Sequence, residues 1–277
     1  MHGLCGARGL AGAYLGLGRG QFGSWQGLTG AERGISGMAA DNQPQGQGTR
    51  PVLIKPRDRS RQAAPQVSDL LRARILSLEL VPGTVLSRID LQAEFGLSST
   101  PIREALQQLA GEGLVDVFPQ HATLVAPIDL TQAKQTQFLR RSIELEIVRD
   151  LALKEDRSFV AALEESLREQ EFIASRKDLD RFMAADLAFH RLTYEAAGVP
   201  DLWPMLRRQT GHIDRIRRLH LPSAGKVEQI LADHTALFTA IAARKATGAQ
   251  EVLRGHLSRS LSLTGEMRLQ HPEYFRD

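Results

Sequence analysis

The sequence has only one cysteine, Cys5, among its 277 residues. A single cysteine excludes an internal disulfide framework and fits a reducing compartment. Long hydrophobic runs are also lacking: no apolar stretch approaches the roughly 20 residues that a helix needs to cross a membrane. We therefore expect a cytoplasmic protein that has no membrane partner.

The chain likewise lacks a strong excess of charge of either sign. Its formal net charge is +3, and 24% charged and 42% apolar residues are ordinary values for a globular protein. Residues 51–127 contain eight basic and eight acidic residues, so any affinity for DNA must come from their arrangement. Four of the basic residues cluster before the first predicted helix, where they either touch phosphate or form a solvated linker: Lys55, Arg57, Arg59 and Arg61.

The first 50 residues have few branched apolar residues and no helical or strand period, and they hold 14 of the 24 glycines. Such a segment cannot bury enough surface to offset the entropy lost on ordering. We expect residues 1–50 to be a disordered tail, translated from an upstream region, with Met38 as the true start. An N-terminal peptide of the native protein that begins before Met38 would exclude this start.

A regular pattern begins at Gln66 and predicts two short helices. The first helix is predicted by apolar residues at helical spacing: Val67, Leu70, Leu71, Ile75 and Leu78. Val81-Pro82-Gly83 predicts a turn, because proline and glycine together break a helix. Ser87 is suited to cap a second helix over residues 88–95, which Gly96 ends. After Gly96 a tight turn leads into the next helix, so the helix at residues 88–95 and the one that follows it have the pattern of a helix-turn-helix.

The stretch from Ser98 to Val115 has the pattern of a capped amphipathic helix. Hydroxyl residues open it, and Pro101 falls where a first helical turn tolerates proline. Its apolar stripe comprises Ile102, Ala105, Leu106 and Leu109, and its outer face carries hydrogen-bonding groups from Ser99, Thr100, Arg103 and Gln107. We interpret it as a recognition helix that reaches base edges in the DNA major groove. Residues 114–118 and 123–126 then predict a β-hairpin wing, so residues 51–127 form a winged helix-turn-helix.

These motifs together resemble the DNA-binding domain of GntR-family transcriptional regulators over residues 66–127. The resemblance rests on Pro82-Gly83, Leu86, Ser98-x-Thr100-Pro101-x-Arg103-Glu104-Ala105-Leu106, Leu109 and Glu112-Gly113-Leu114-Val115. We expect DNA contacts from the second helix, the recognition helix and the wing tip: Arg88, Ser98, Ser99, Thr100, Arg103, Gln107 and His121. Two positions depart from the family pattern. Ser99 stands where the family usually has a DNA-contacting arginine, and His121-Ala122 replaces a basic residue followed by glycine.

From Leu130 onward the pattern is helical, with few prolines and no convincing strand. We predict six helices, at residues 130–154, 157–176, 178–197, 200–220, 226–245 and 248–269. Residues 128–277 would then form an all-α six-helix bundle whose grooves can hold a ligand. The whole chain is therefore expected to be mainly α.

Four residues of the predicted bundle have metal-ligand spacing. Asp186 and His190 are four residues apart, so both lie on one helix face. His234 and His256 lie about twelve and ten residues from the turn between two consecutive helices, and antiparallel packing brings them level. Three imidazoles and a carboxylate suit a divalent ion such as Zn²⁺ or Ni²⁺. The alternative is that these histidines are isolated polar groups of the core.

The same region resembles the FCD ligand-binding domain of the FadR subfamily. The resemblance rests on Asp186-Leu187-Ala188-Phe189-His190, the segment 228–242 around His234, and Arg254-Gly255-His256-Leu257. In many members of that subfamily an Asp and three His at these positions bind a metal, and all four are present here. The short, six-helix length resembles the VanR-like branch.

The resemblance also implies a small organic-acid effector. Arg140 and Glu144 stand at the Arg-x-x-x-Glu position of the FCD domain, where the arginine can meet an effector carboxylate. The alternative for this pair is a surface ion pair. His212 and Arg215, three residues apart, would line the same cavity, whereas Arg207, Arg208, Arg217 and Arg218 are interpreted as a solvated face.

The leading hypothesis is a ligand-responsive, homodimeric regulator that binds double-stranded operator DNA, is nucleoid-associated when bound, and is not an enzyme. One alternative is a metal-dependent hydrolase with a DNA-binding appendage, since an Asp-His₃ site with an open position can activate water. A second alternative is a helical dimerisation scaffold with hydrogen-bonded histidines and no ligand.

Overall fold

The computed structural model describes residues 62–118, 122–154 and 156–276. The expected tail at residues 1–50, the start at Met38, the basic cluster at residues 55–61 and His121 all lie outside these ranges. Within them, no helix combines the length and the apolar character needed to span a bilayer.

The N-terminal part is a winged helix-turn-helix made of α1 (Ala63–Leu76), α2 (Arg88–Phe95), α3 (Ser99–Gly111), β1 (Val115–Val117) and β2 (Thr123–Val125). The strands pair antiparallel with Val115 opposite Val125. The predicted cap is present, because the Ser87 hydroxyl accepts a hydrogen bond from the Asp90 N–H at 3.3 Å. The first helix is shorter than predicted: it ends at Leu76, and Leu78 adopts a left-handed φ of 61°.

The apolar stripes of α1 and α3 face each other and form the core of this domain. Leu71, Ile75, Ile102 and Leu109 are fully excluded from solvent. A buried ion pair reinforces the contact, since Arg72 donates from Nε and Nη2 to the two carboxylate oxygens of Glu112 at 2.7 and 2.5 Å. A bidentate pair of this kind fixes orientation as well as distance. The polar face of α3 is thereby turned outwards.

The C-terminal part is helical, as expected, and its long helices match the predicted bounds closely. They are α4 (Leu130–Leu153), α5 (Arg157–Ser175), α6 (Leu179–Ala196) and α9 (Lys226–Ala242). Aspartates cap three of them, because Asp129, Asp156 and Asp178 each accept a backbone N–H of the first turn. Their apolar faces meet a further helix, α10 (Ala246–Ser258). The core between them is built around Val148, Leu163, Phe189, Leu237 and Leu253.

Two of the six predicted helices are interrupted. The helix expected at residues 200–220 is α7 (Leu202–Arg207) followed by α8 (Gly211–His220), and the one expected at residues 248–269 is α10 (Ala246–Ser258), a 3₁₀ turn and α11 (Thr264–Gln270). At the first break, Thr210 hydrogen-bonds to Asp214 and accepts from Arg207, so side chains compete with the helical pattern. Because of this break, α7 and α8 are two separate helices rather than one continuous helix.

The linker between the two domains is tied to the C-terminal segment. Ile128 forms a parallel β-bridge with Phe275, and both are buried in a small cluster with Ile213, Ile216 and Met267. The Arg276 guanidinium reaches Asp116 of β1 at 2.7 Å. The C-terminal residues therefore contact the linker and the wing together.

Candidate metal centre and DNA-reading face

Three helices bring the four predicted metal ligands together. Asp186 and His190 lie one turn apart on the buried face of α6, while His234 and His256 come from α9 and α10. All four are buried, and one ligand atom from each lies within 4.8 Å of the others. The sequence spacing thus corresponds to a cluster in space.

Each imidazole directs its Nδ1 away from the centre, towards an oxygen of a neighbouring side chain. The His234 Nδ1 is 2.8 Å from Gln170 Oε1, and the His256 Nδ1 is 3.2 Å from Asp233 Oδ2. The His190 Nδ1 lies 3.0 Å from Glu144 Oε2. A carboxylate or amide oxygen at this position makes Nδ1 the protonated nitrogen and leaves the Nε2 lone pair free for a metal.

The inner nitrogens have no adequate partners among the residues that the structure describes. His190 Nε2 and His256 Nε2 are 3.3 Å apart, and with both Nδ1 atoms protonated these two lone pairs face each other. His234 Nε2 and Asp186 Oδ1 are buried without any hydrogen-bond partner and lie 3.8 Å apart. Leaving such groups unpaired in the interior costs free energy that a cation between them would recover.

The fourth ligand is held by a charged partner. Asp186 accepts a hydrogen bond from the Arg217 guanidinium through Oδ2, which leaves Oδ1 pointing towards His234. Burial alone would raise the pKa of Asp186, but Arg217 holds it well below its usual range. The aspartate is therefore ionised and has one oxygen available for a metal.

His234 and His256 are in the protonation state that ligation needs. Burial lowers the pKa of His256 to about 4, and it lowers the pKa of His234 well below the ordinary value. Neutral imidazoles with free Nε2 atoms and an ionised carboxylate are the donor set of a divalent transition metal. The residues present therefore fit such an ion.

A narrow pocket lies beside the cluster and shares His256 with it. Its polar lining includes two basic groups, Arg217 and Lys226, together with Asp233 and Ser260. The Arg217 Nη1 is buried without a hydrogen-bond partner. A pocket with these groups is suited to an anionic ligand.

The four residues predicted to contact an effector lie in two different places, one pair beside the metal-ligand cluster and the other pair at the interdomain linker. Arg140 and Glu144 are fully buried and pair at 2.7 Å, so the alternative of a surface ion pair is excluded. Burial would raise the pKa of Glu144, yet Arg140 and His190 hold it well below its usual range. Glu144 is thus engaged with a metal-ligand candidate, whereas the Arg140 Nη2 is buried and has no hydrogen-bond partner.

None of Arg140, His212 and Arg215 is among the described residues that line this pocket, so the structure does not bring these three predicted effector contacts into one cavity. Arg215 donates to the Ala126 carbonyl at 2.6 Å, and His212 Nδ1 accepts from the Asp129 N–H at 3.0 Å. Both residues therefore contact the interdomain linker. The prediction assumed one continuous helix, and the break before α8 changes which side chains face the bundle.

The face expected to read DNA is a groove between α2, α3 and the wing. Arg88, Ser99, Arg103 and Gln107 line it, with Val117 and Phe118 of the wing on its far side. Ser98 and Thr100 are exposed at the start of α3, although Ser98 makes no side-chain capping bond. Six of the seven residues predicted to contact DNA are therefore exposed on one face, and the seventh, His121, lies outside the described residues.

Comparison with known proteins decides the family. The family described as "Bacterial regulatory proteins, gntR family" matches residues 63–125, and the FCD domain matches residues 136–259. An HTH-type transcriptional regulator in an unstable DNA locus of Streptomyces ambofaciens is 36% identical over 207 residues, which are 74% of this chain and 86% of that protein. The chain belongs to the GntR family.

Other GntR regulators match along nearly their full length. The repressor RspR of Escherichia coli K12 is 28% identical over 212 residues, or 76% of this chain and 93% of RspR. The structure of E. coli McbR/YncC has the same fold, with a TM-score of 0.64 and 20% identity over 75% of this chain and 99% of McbR. The GntR family and these relatives are transcriptional regulators, not enzymes, and GntR regulators bind operator DNA.

Three residues of the GntR/FCD site were missed from the sequence. Gln170 occupies a buried position in the apolar stripe of α5, after Phe159, Leu163 and Leu167, and this polar interruption was a usable signal. Asp233 directly precedes a ligand and carried no separate signal. Arg217 was interpreted as solvated, but its side chain is 11% exposed because it pairs with Asp186.

Proposed function

We propose that this GntR regulator binds a divalent metal, Zn²⁺ or Ni²⁺, through Asp186, His190, His234 and His256. The observation that carries the proposal is the free, inward-facing Nε2 of His234 beside the free Oδ1 of Asp186. Glu144, Gln170 and Asp233 would orient the three imidazoles. The alternative of a scaffold with fully hydrogen-bonded histidines conflicts with these unpaired atoms.

The proposed effector is a small organic acid bound beside the metal. Two buried guanidinium nitrogens without hydrogen-bond partners support this choice, Nη2 of Arg140 and Nη1 of Arg217. Guanidinium groups bind carboxylates well, and a ligand that satisfied them would remove a desolvation cost of about 1–3 kcal/mol for each group. His212 and Arg215 are not proposed as effector contacts, since Arg215 donates to the Ala126 carbonyl and His212 accepts the Asp129 N–H, both at the linker.

DNA reading is proposed for α3, with the wing beside it. Arg103 and Gln107 would reach base edges, and Arg88, Ser98, Ser99 and Thr100 would contact phosphates or base edges. A homodimer would present two such helices about 34 Å apart, one turn of DNA, to a pseudo-palindromic operator. We place this protein, a FadR-type regulator of the VanR-like branch, in the cytoplasm, and on the nucleoid when bound to DNA.

Ligand response would follow from differential affinity. A metal and a carboxylate that bind one arrangement of the helical domain more tightly than another shift the population, and with it the affinity for the operator. The chain's own residues supply this preference, because Asp186 is both a metal-ligand candidate and a partner of Arg217.

Two measurements on protein purified without a histidine tag test the metal site: its metal content and its thermal unfolding. We expect metal near one ion per chain, and a rise in Tm on adding Zn²⁺ or Ni²⁺ to chelator-treated protein, because a ligand that binds only the folded state stabilises it. His234→Ala should abolish this rise. His271→Ala is the matched control, since His271 is half-exposed and distant in sequence from the cluster. Metal content below about 0.2 per chain with no rise in Tm would exclude the site.

A further inference from the structure

The linker after the winged domain is held on several sides by buried polar contacts. Arg215 of α8 donates to the Ala126 carbonyl, and His212 of the same helix accepts the Asp129 N–H. The backbone of Ile128 exchanges hydrogen bonds with the C-terminal segment, at 2.7 and 3.0 Å. Within the described chain, these contacts fix the segment that joins the DNA-reading domain to the helical domain.

The winged domain packs tightly against the start of α8. The Leu114 side chain packs so close to Gly211 that a Cβ there would lie 2.6 Å from Leu114 Cδ2. Gly113 is similarly close to His212, with a Cβ position 3.1 Å from Nε2. The domain boundary is therefore a tight steric fit, in which a shift of α8 must be transmitted to β1 and the linker.

The opposite face of α8 contacts the metal-ligand cluster. Arg217 follows Arg215 by two residues, which is about 200° around a helix, and it hydrogen-bonds to Asp186. One short helix thus carries the partner of a ligand candidate on one face and the linker contacts on the other. Since α8 has ten residues, it is about 15 Å long.

The linker contacts include a buried charge, which the carboxylates of Asp116 and Asp214 favour only at a distance, without hydrogen bonds to it. Arg215 is 0% exposed, and its hydrogen-bonding partners are two neutral groups, the Ala126 carbonyl and His212 Nδ1, while its Nε has none. A buried cation without a hydrogen-bonded carboxylate carries a large desolvation cost. The contact is therefore formed at a cost, so a small change at α8 can alter how firmly the linker is held.

We propose that α8 couples the Asp-His₃ cluster to the DNA-reading domain, with Arg217 as the contact to the cluster and His212 and Arg215 as positioning residues for the linker. The inference rests on the proposed metal site. Asp186 Oδ1 and His234 Nε2 are 3.8 Å apart, and both lack a hydrogen-bond partner among the described residues. An ion held by both atoms would draw them together, and a shift of Asp186 would be passed to Arg217 through their hydrogen bond.

Hydrogen exchange of the full-length protein tests this coupling with Zn²⁺ alone as the probe. In the wild type, saturating Zn²⁺ should change the exchange rate of the linker amides of Ile128 and Asp129 by about threefold or more. Arg217→Met, measured at its own saturating Zn²⁺ concentration, should show a change below about 1.5-fold. Arg218→Met is the matched control on the same helix, because Arg218 pairs with Asp180 rather than with a ligand candidate, and it should respond as the wild type does.

The linker side of α8 is tested by Arg215→Met and by His212→Leu, which has no acceptor for the Asp129 N–H. Both variants should bind Zn²⁺ as the wild type does but exchange the Asp129 amide rapidly with and without the ion. On a duplex selected by the wild type from a random-sequence pool, both should lose the Zn²⁺-dependent change in affinity and tolerate altered half-site spacing, which a merely destabilised protein would not do.

The outcomes separate this inference from the proposed function. Zn²⁺ that binds the wild type without changing linker exchange overturns the coupling and leaves the metal site intact. A wild-type response by Arg217→Met also overturns it. Failure of the wild type to bind Zn²⁺ rejects the metal site, and the coupling with it.

Discussion

At the scale of single residues, the protein buries charged and titratable groups at two places, the metal-ligand cluster and the linker contact. Asp186 and Glu144 are each kept ionised by an arginine, Arg217 and Arg140. His212 is the opposite case, because its Nδ1 accepts hydrogen bonds and the ring must stay neutral to do so.

His212 should make the protein sensitive to acid. Burial, and then Arg215, lowers its pKa to about 4, and the other charged groups near it are Asp129 and Arg276. Between about pH 6.5 and pH 4 the unfolded chain binds a proton that the folded chain rejects, so stability falls as the pH falls through this window. At pH 7 the contribution is fully present.

We therefore expect the wild type to lose about 2 kcal/mol more stability than His212→Gln between pH 7 and pH 5. Urea denaturation in the presence of a chelator measures this difference without any contribution from bound metal. Glutamine is the chosen substitute because its side-chain oxygen can still accept the Asp129 N–H. Equal pH dependence in the two proteins would mean that His212 is not held neutral.

At the scale of the element, α3 and α8 carry the specific chemistry, and both depend on one face being fixed so that the other can act. The buried stripe of α3 packs on α1 and leaves Arg103 and Gln107 in the groove. Gly211 starts α8 at a point where only a glycine leaves room for Leu114.

Replacing Arg103 with alanine should remove most specific DNA binding. Loss of a base-contacting arginine costs about 1–3 kcal/mol, or roughly 5- to 150-fold in affinity. Ser99→Arg should tighten binding and steepen its salt dependence, because it adds a phosphate contact. Gln108→Ala is the control, since Gln108 is exposed on α3 but does not line the groove.

Electrophoretic or fluorescence titrations at fixed and varied salt measure both effects. If Arg103→Ala keeps its operator affinity within about twofold of the wild type, α3 does not read DNA in the proposed way.

Gly211→Ala should destabilise the protein by about 1–3 kcal/mol, the usual cost of overpacking, because its Cβ would meet the Leu114 side chain at 2.6 Å. Gly248→Ala in α10 provides the contrast. Its Cβ would meet neighbours only at 3.6 Å or beyond, so the higher helix propensity of alanine should stabilise by up to about 1 kcal/mol. Denaturant unfolding of both variants checks the prediction, and a stable Gly211→Ala would show that the domain boundary is not tightly packed.

At the scale of the whole molecule, the exposed face of α4 bears on the proposed homodimer. Phe138 is 65% exposed and Leu139 is 45% exposed, and they stand side by side on the longest helix of the described chain. Exposed large apolar side chains on a helix surface lose water contact favourably when another protein surface covers them. We propose that this face packs against its counterpart in a second copy of the chain.

Phe138→Glu should shift the protein from dimer to monomer at micromolar concentration, because a carboxylate at the centre of an apolar interface would be buried without a partner. Sedimentation velocity reads the state directly. Phe172→Glu on α5 is the control, as Phe172 is 54% exposed on a different helix. A dimeric Phe138→Glu would move the proposed interface elsewhere.

The sequence by itself determined the elements and the ligand set. Helical period, the Ser87 cap and the Gly96 turn are local features, and they defined the winged helix-turn-helix and the long helices of the bundle. Asp186 and His190 are spaced to lie on one face of a helix, and His234 and His256 are at similar distances from the turn that joins their two helices. This spacing likewise predicted the cluster that the structure contains.

Only the tertiary structure decided which groups surround that cluster and where α8 points. Gln170, Asp233 and Glu144 meet the imidazoles across distances in sequence that carry no period. Because the helix breaks at Thr210, Arg215 contacts the linker rather than an effector cavity, and Arg217 contacts Asp186 rather than solvent. Helix periodicity specifies the faces of a helix, but packing against other helices decides what each face meets.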